Sequence, residues 1–287
     1  MTEEGAKRIT YFSKSSLSCP VCESTFYRED LLSGGGRLIA GELTDELHRT
    51  YEPSKRFGEL HPLIYAVLVC PSCLFAAYPQ DFDELQPESV PEVKGLADQR
   101  VESVSLLFRD LNFTEYRTLK EGAASYFLAM LCYEHFDRHH APTFKQGLSA
   151  LRAAWLLDAL HRKHSGENYD YLSRLFYRKA CYLYSRSVEL AQNGQEPLEA
   201  KVNFGPDLDK NYGYEGLLYL SGLLEYKYGP REDLSRRIRS LERAKRTVSK
   251  LFGTGKASRS KPSAILDKAR EVYDEMNRQI KELQEQG

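Results

Sequence analysis

The chain has 287 residues, of which 41% are hydrophobic and 28% charged, and its formal net charge is −1. This balance excludes a disordered acidic protein and a uniformly basic nucleic-acid coat, and the length favours two structural units or one solenoid-like unit with an appendage. Residues 1–16 lack the apolar core of a signal peptide and no segment is apolar enough to span a membrane, so we predict a cytoplasmic protein without a membrane partner.

Residues 1–91 are predicted to form a small β-rich unit. A possible strand at Arg37–Ala40 follows a run of glycines, and a longer apolar run extends from Leu63 to Val69. Both alternating sets of residues in this run are apolar, so its periodicity does not distinguish a strand from a helix. Its β-branched residues and the flanking Pro62 and Pro71 favour a strand.

Two Cys-Pro-x-Cys segments lie in this unit, with 47 residues between them. We call Cys19 and Cys22 the first cysteine pair, and Cys70 and Cys73 the second. In each pair a tight turn can direct two thiolates at one cation, while backbone amides donate to the sulfurs. The four cysteines are therefore predicted to hold one structural Zn²⁺ in a zinc-ribbon-like unit. A redox or iron site and a metal-free cluster are the alternatives.

A site of four thiolates leaves no open coordination position for an activated water, which argues against metal-assisted hydrolysis. Glycine commonly follows the second cysteine of such a pair, whereas this chain has Glu23 and Leu74 at those positions. His48 and His61 lie between the two pairs and are expected to be exposed or packed in loops, with metal ligation as the alternative.

Residues 92–287 are predicted to form a helical repeat-like domain, because apolar residues recur at helical spacing from about Glu92 onward. The longest interval without this spacing, Gly194–Asn211, is a candidate functional loop. Cys132 and Cys181 lie in predicted helices and are expected to pack as small hydrophobic residues. The predicted helices span 92–111, 114–137, 142–163, 167–193, 212–228, 231–252 and 262–284.

The segment from Ser18 to Phe82 resembles the uncharacterised bacterial family catalogued as domain of unknown function 2225. It departs from the family pattern at His61, where asparagine is usual. The resemblance implies helices similar to tetratricopeptide repeats from about residue 92, and it implies no activity. Besides the first cysteine pair, the matching residues are Pro62, Leu63, Tyr65, Val67, Val69, Cys70, Pro71, Cys73, Ala76, Asp81 and Phe82.

Two segments best fit a tetratricopeptide-like pair of helices, Tyr214–Val248 and, more weakly, Glu115–Leu160. Both contain small residues, such as Gly122 and Gly222, where two helices would cross closely. Stacked pairs of this kind present a concave groove to a partner. The alternative is an irregular bundle of helices without a groove.

The segment from Arg231 to Lys261 contains 11 basic residues and only three acidic ones. Such an excess favours RNA, DNA or an acidic partner, because cationic side chains release the counterions of phosphates. The alternative is a solvated helix face followed by a linker.

No P-loop, dinucleotide-binding, serine-hydrolase or zinc-protease motif is present. His135, His139 and His140 lie with Asp137 at a predicted helix end, where we expect them to cap the helix and face water; a metal site is the alternative. We therefore predict a non-enzymatic, zinc-stabilised adaptor or scaffold that binds another protein. The alternative function is nucleic-acid binding by the zinc unit together with residues 231–261.

Overall fold

The computed structural model describes residues 9–32, 34, 36–198, 204–208, 210–252 and 263–285. These residues form a mainly helical protein with a small N-terminal strand-rich region, which confirms the predicted fold class. None of the helices in these ranges is both long and apolar enough to cross a lipid bilayer.

The N-terminal region consists of short antiparallel hairpins, each with two strands. The first cysteine pair lies between β1 and β2, and the second lies between β5 and β6. The hairpin formed by β3 and β4 lies between them in the chain. The strands are β1 (Thr10–Ser18), β2 (Thr25–Leu31), β3 (Ala40–Leu43), β4 (Arg49–Tyr51), β5 (Leu68–Val69) and β6 (Ala76–Ala77).

The prediction of a strand at Leu63–Val69 is wrong for most of this segment. Pro62–Tyr65 form a 3-10 turn, and only Leu68–Val69 are extended. The run is apolar throughout because neighbouring helices and strands cover it on more than one side. One of these contacts is a hydrogen bond from the Tyr126 hydroxyl to the Leu63 carbonyl at 2.7 Å. The strand predicted at Arg37–Ala40 begins only at its last residue, Ala40.

The described residues after the hairpins contain eight α-helices. The predicted segment 142–163 coincides with one of them, which begins with Pro142 in its first turn. The helices are α1 (Val90–Gly95), α2 (Ala97–Leu107), α3 (Leu119–Tyr133), α4 (Pro142–Lys163), α5 (Tyr169–Gln192), α6 (Gly213–Tyr228), α7 (Leu234–Ser249) and α8 (Ser263–Glu285).

Two helix predictions differ from the structure for local reasons. The segment 92–111 is broken at Leu96, between α1 and α2. The segment 114–137 begins only at Leu119, because Thr118 and Glu121 form a capping box that satisfies the first amides of α3.

From α3 onward, each helix packs on the next in chain order, and α8 also returns to α6. The crossing of α6 and α7 requires a small residue at Gly222, where a Cβ atom would lie 2.1 Å from Val248 Cγ2. This supports the reasoning from small residues. A tetratricopeptide arrangement stays a prediction.

The hairpins and helices contribute to one continuous hydrophobic core. Phe75 and Phe82 of the N-terminal region, for example, lie with Phe136 beyond the end of α3 in one aromatic cluster. The predicted division into residues 1–91 and 92–287 stays a prediction, because a shared core does not show whether either part folds alone.

Candidate metal centre

The two cysteine pairs lie in turns of the same geometry. In the first turn the Cys19 amide donates to Ser24 O at 3.0 Å and the Glu23 amide donates to Cys19 O at 2.9 Å. In the second, the corresponding bonds run from Cys70 to Phe75 O and from Leu74 to Cys70 O, both at 2.9 Å. Each turn therefore presents its two thiols in the same way.

The residue after each pair adopts a left-handed backbone conformation, with φ of 64° at Glu23 and 56° at Leu74. Glycine adopts this conformation without steric cost, whereas a side chain makes it unfavourable by about 1 kcal/mol. The missing glycines noted in the sequence therefore change the local strain of the turns and leave their geometry intact.

The structure brings all four sulfur atoms together, within 4.8 Å of one another. Cys19 Sγ lies 3.6 Å from Cys73 Sγ, and Cys22 Sγ lies 3.5 Å from Cys70 Sγ. Metal–sulfur bonds of about 2.3 Å place the sulfurs of a tetrahedral site about 3.8 Å apart. The donor set therefore fits a tetrahedral metal ion with small adjustments of the side chains.

The electrostatics of the cluster favour a cation at its centre. Hydrogen bonds among the thiols lower the pKa of Cys70 and raise the pKa of Cys73, so the sulfurs lose their protons as one coupled group. Four sulfurs at this separation become thiolates together only when a cation offsets their mutual repulsion.

Residues of the helical part hold the second cysteine pair in place. The buried Arg100 of α2 donates from Nε and Nη2 to the Cys73 carbonyl at 3.1 and 3.0 Å. Cys132 of α3 accepts a hydrogen bond from the Ala76 amide at 3.3 Å. Sequence reasoning assigned Cys132 only a packing role and missed Arg100, because no local pattern marks a contact 27 residues away.

The two histidines between the cysteine pairs pack in loops and lie outside the thiol cluster. The His48 ring stacks on Trp155 at 4.1 Å, and burial lowers its pKa to about 4, so the ring is neutral at pH 7. His61 lies 2.9 Å from Glu59. Within the described ranges, the four cysteines are the one group of three or more side chains placed to hold a metal.

The expectation that three histidines cap a helix end and face water is wrong in part. The side chain of His139 is 82% exposed, but those of His135 and His140 are mostly buried and lie near Glu92 and Asp81. Asp137 caps a 3-10 turn through the amide of His139. The His140 ring also packs against Phe136, with the ring centres 5.7 Å apart.

The candidate loop Gly194–Asn211 lies against α4 where the structure describes it. Phe204 to Asp207 are buried, and Arg152 of α4 donates to the Pro206 carbonyl at 2.8 Å. Cys132 and Cys181 are both buried, as predicted. Residues 199–203 and 209 of the loop lie outside the described residues.

Fold and site together define a class of mainly helical proteins in which two hairpin turns place four cysteines around one metal position. The chain belongs to the family described as an uncharacterized protein conserved in bacteria, DUF2225, which matches residues 12–276. It is 45% identical over 278 residues to an uncharacterized protein of Borreliella burgdorferi, an alignment that covers 96% of this chain and 99% of the relative. No solved structure matches the chain.

Proposed function

We propose that the protein is a non-enzymatic cytoplasmic adaptor whose helices bind another protein, and that the four cysteines hold a structural Zn²⁺. Four thiolates are a ligand set typical of structural zinc. The centre fixes the N-terminal hairpins on α2 and α3 through Arg100 and Cys132. The observation that carries the adaptor role is an apolar groove between α3 and α5.

The apolar groove has a volume of about 280 Å³. Leu175 of α5, which lines it, is 40% exposed, and the same helix exposes Tyr171 and Tyr182. These three residues are spaced so that they share one face of α5 over about 16 Å. The residues that line the groove are Phe127, Met130, Leu131, Glu134, Gln146, Leu175, Phe176 and Lys179.

The occupant that fits this groove is the apolar face of an amphipathic helix from a partner protein. Such a helix places residues at i, i+3, i+4 and i+7 in a groove of this kind. The exposed cation Lys179 lines the groove and has no ion-pair partner among the described residues, whereas Arg174 and Arg178 are paired with Asp170 and Glu232. We therefore expect acidic residues beside the apolar face of the partner helix.

We expect Leu175→Glu to abolish recovery of the partner when the protein is purified by affinity from the cells that make it. A carboxylate placed in an apolar groove weakens binding at least tenfold. Ile39→Glu is the matched control, because Ile39 is exposed on the N-terminal region, away from the groove. Equal recovery with both variants would remove the groove from the proposal.

A second candidate function, nucleic-acid binding, is favoured by one surface of α7. Five cations are exposed on one face of this helix and its C-terminal end, and together they form the basic strip: Arg236, Arg239, Arg243, Arg246 and Lys250. They extend over about 21 Å. Among the described residues, none of the five lies in an ion pair.

The basic strip differs from the segment suggested by the sequence in two ways. Arg237 is buried and donates to Glu225 O and Tyr226 O, both at 2.8 Å, so it stabilises the helix packing. Residues 253–262 lie outside the described residues. Because α7 packs on α6 and α8 whereas the cysteines lie near α2 and α3, the strip would contact a nucleic acid without the metal centre.

A salt titration separates the two functions. Five phosphate contacts to a single strand give a slope of about −3.5 in the logarithm of the binding constant against the logarithm of the salt concentration. The binding affinity therefore falls about a hundredfold between about 50 and 200 mM salt. We expect the wild type to show no retardation of RNA or DNA at physiological salt. We also expect a variant with glutamine at Arg236, Arg239, Arg243 and Arg246 to keep the protein partner.

Nuclease treatment during the purification gives the second readout. A partner that survives nuclease and is lost with Leu175→Glu supports the adaptor. A wild type that retards RNA with the slope given above, together with a glutamine variant that does not, makes nucleic-acid binding the better function.

A further inference from the structure

A cavity of about 550 Å³ lies between the N-terminal region and α4, and we call it the α4 cavity. It shares no lining residue with the apolar groove and contains none of the four cysteines. The side chains around it come from five segments of the chain: Arg28, Asp30 and Leu31; Pro62, Tyr65 and Ala66; Tyr78, Pro79 and Gln80; Phe144, Lys145, Leu148 and Arg152; and Leu208.

Three cations line the α4 cavity, against one acidic residue. Arg28 lies 2.6 Å from Asp30 at the rim. Lys145 lies 2.6 Å from Asp81, which is buried behind it and also accepts a hydrogen bond from the Tyr133 hydroxyl at 2.6 Å. These two cations are therefore neutralised by carboxylates of the protein.

Arg152 is different, because no carboxylate lies within ion-pair distance of it among the described residues. Its side chain is buried, and it donates to the carbonyls of Pro206 at 2.8 Å and Gly205 at 3.4 Å. Its guanidinium lies 5.3 Å from the centre of the Tyr78 ring. The loop carboxylate of Asp207 accepts the amides of Arg49 and Leu208.

A buried guanidinium without a carboxylate partner is costly unless an anion reaches it. The cavity wall beside Arg152 is otherwise aromatic and aliphatic, with Tyr65, Tyr78, Phe144 and Leu148. The volume is in the range of small-molecule sites, which are mostly apolar with a few charged groups that fix orientation.

We propose that the α4 cavity binds a small anion in which a phosphate or carboxylate group is attached to a flat apolar body. The anionic group pairs with Arg152, since a guanidinium fork matches both kinds of oxyanion. The apolar body lies against Tyr65 and Phe144. This site is independent of the adaptor role and of the metal.

The test uses phenyl phosphate and benzoate as probes, with phenol as the neutral control, at constant ionic strength in chloride buffer. We expect at least one of the two anions to bind by calorimetry with a dissociation constant on the order of 1 mM, and phenol not to bind. Binding of phenyl phosphate alone identifies a phosphate ligand, and binding of benzoate alone identifies a carboxylate ligand. Failure of both anions to bind, or equal binding of phenol, overturns the proposal.

The location of the anion site is tested with variants at residues that do not stabilise the fold. Gln80 lines the cavity and is exposed, so we expect Gln80→Glu and Gln80→Lys to preserve the fold while they change the charge at the rim in opposite directions. We expect the glutamate to weaken anion binding about fivefold and the lysine to strengthen it, by Coulomb interaction across the rim. Ala66→Leu fills part of the cavity and should abolish binding.

Gln284→Glu on α8 is the matched control, and it should leave binding unchanged. Arg152 itself is kept, because it also holds the carbonyls of the loop. If Gln80→Glu and Ala66→Leu bind the anion as tightly as the wild type, the anion binds elsewhere and the α4 cavity is not its site.

Discussion

Cys70→Ser is expected to remove the metal from the protein. A serine hydroxyl replaces one of four thiolates in a site whose sulfurs lie within 4.8 Å of one another. Binding of a structural zinc ion contributes roughly 10 kcal/mol or more to the folding of small modules, so the variant should also be poorly soluble. Elemental analysis of the wild type should give one metal ion per chain, identified as zinc, and of the variant a content near zero.

Cys181→Ser is the matched control for this prediction. Cys181 is buried in α5 and donates to Glu225 at 3.2 Å, so its substitution makes the same chemical change away from the four sulfurs. It should retain one metal per chain. A wild type purified without chelator that contains no metal, or a Cys70→Ser variant with unchanged metal content, would contradict the assignment.

Glu46→Ala should destabilise the protein by about 3–5 kcal/mol, because it leaves several buried donors without an acceptor. The buried carboxylate of Glu46 accepts hydrogen bonds from Trp155 Nε1 at 2.6 Å and from the Tyr228 hydroxyl at 2.7 Å. Lys227 Nζ lies 3.3 Å from the same carboxylate. The midpoint temperature of thermal unfolding should fall by about 10 °C.

Two further variants separate the causes of this loss. Glu42→Ala, at an exposed position of the same hairpin, should change stability by less than about 0.5 kcal/mol. Glu46→Gln should recover only part of the loss, since its NH₂ group replaces one of the two acceptor oxygens and so faces either the Trp155 indole or the Tyr228 hydroxyl. Unfolding of Glu46→Ala at the same temperature as Glu42→Ala would show that these bonds do not stabilise the fold.

Local sequence patterns predicted the features that depend on neighbours in the chain. The Cys-Pro-x-Cys spacing placed the four cysteines, and Pro142 with the helical period placed α4. The start of α3 was also readable, because Thr118 and Glu121 stand in the order that a capping box requires. The apolar period alone does not mark this start.

Other features depend on contacts between distant segments, which no local period reports. Trp155 and Glu46 are 109 residues apart, and Arg100 and Cys73 are 27 apart. Arg237 counts among the 11 basic residues of the segment 231–261, because its charge is visible in the sequence whereas its burial is not. The apolar run Leu63–Val69 has no period that separates a strand from a helix. Its conformation is determined by tertiary contacts, which the sequence does not show.

The order of synthesis separates the metal centre from the Glu46 contacts in time. All four cysteines have been translated once Cys73 is made, whereas Tyr228 follows Glu46 by 182 residues. At about 5–20 residues per second, the ribosome needs roughly 10–40 s to add that length. If the four cysteines hold a metal ion as proposed, the chain therefore has all of the ligands long before Glu46 can meet Tyr228 of α6. A shortage of that metal would then act on the N-terminal region before the helices that contact it have been made.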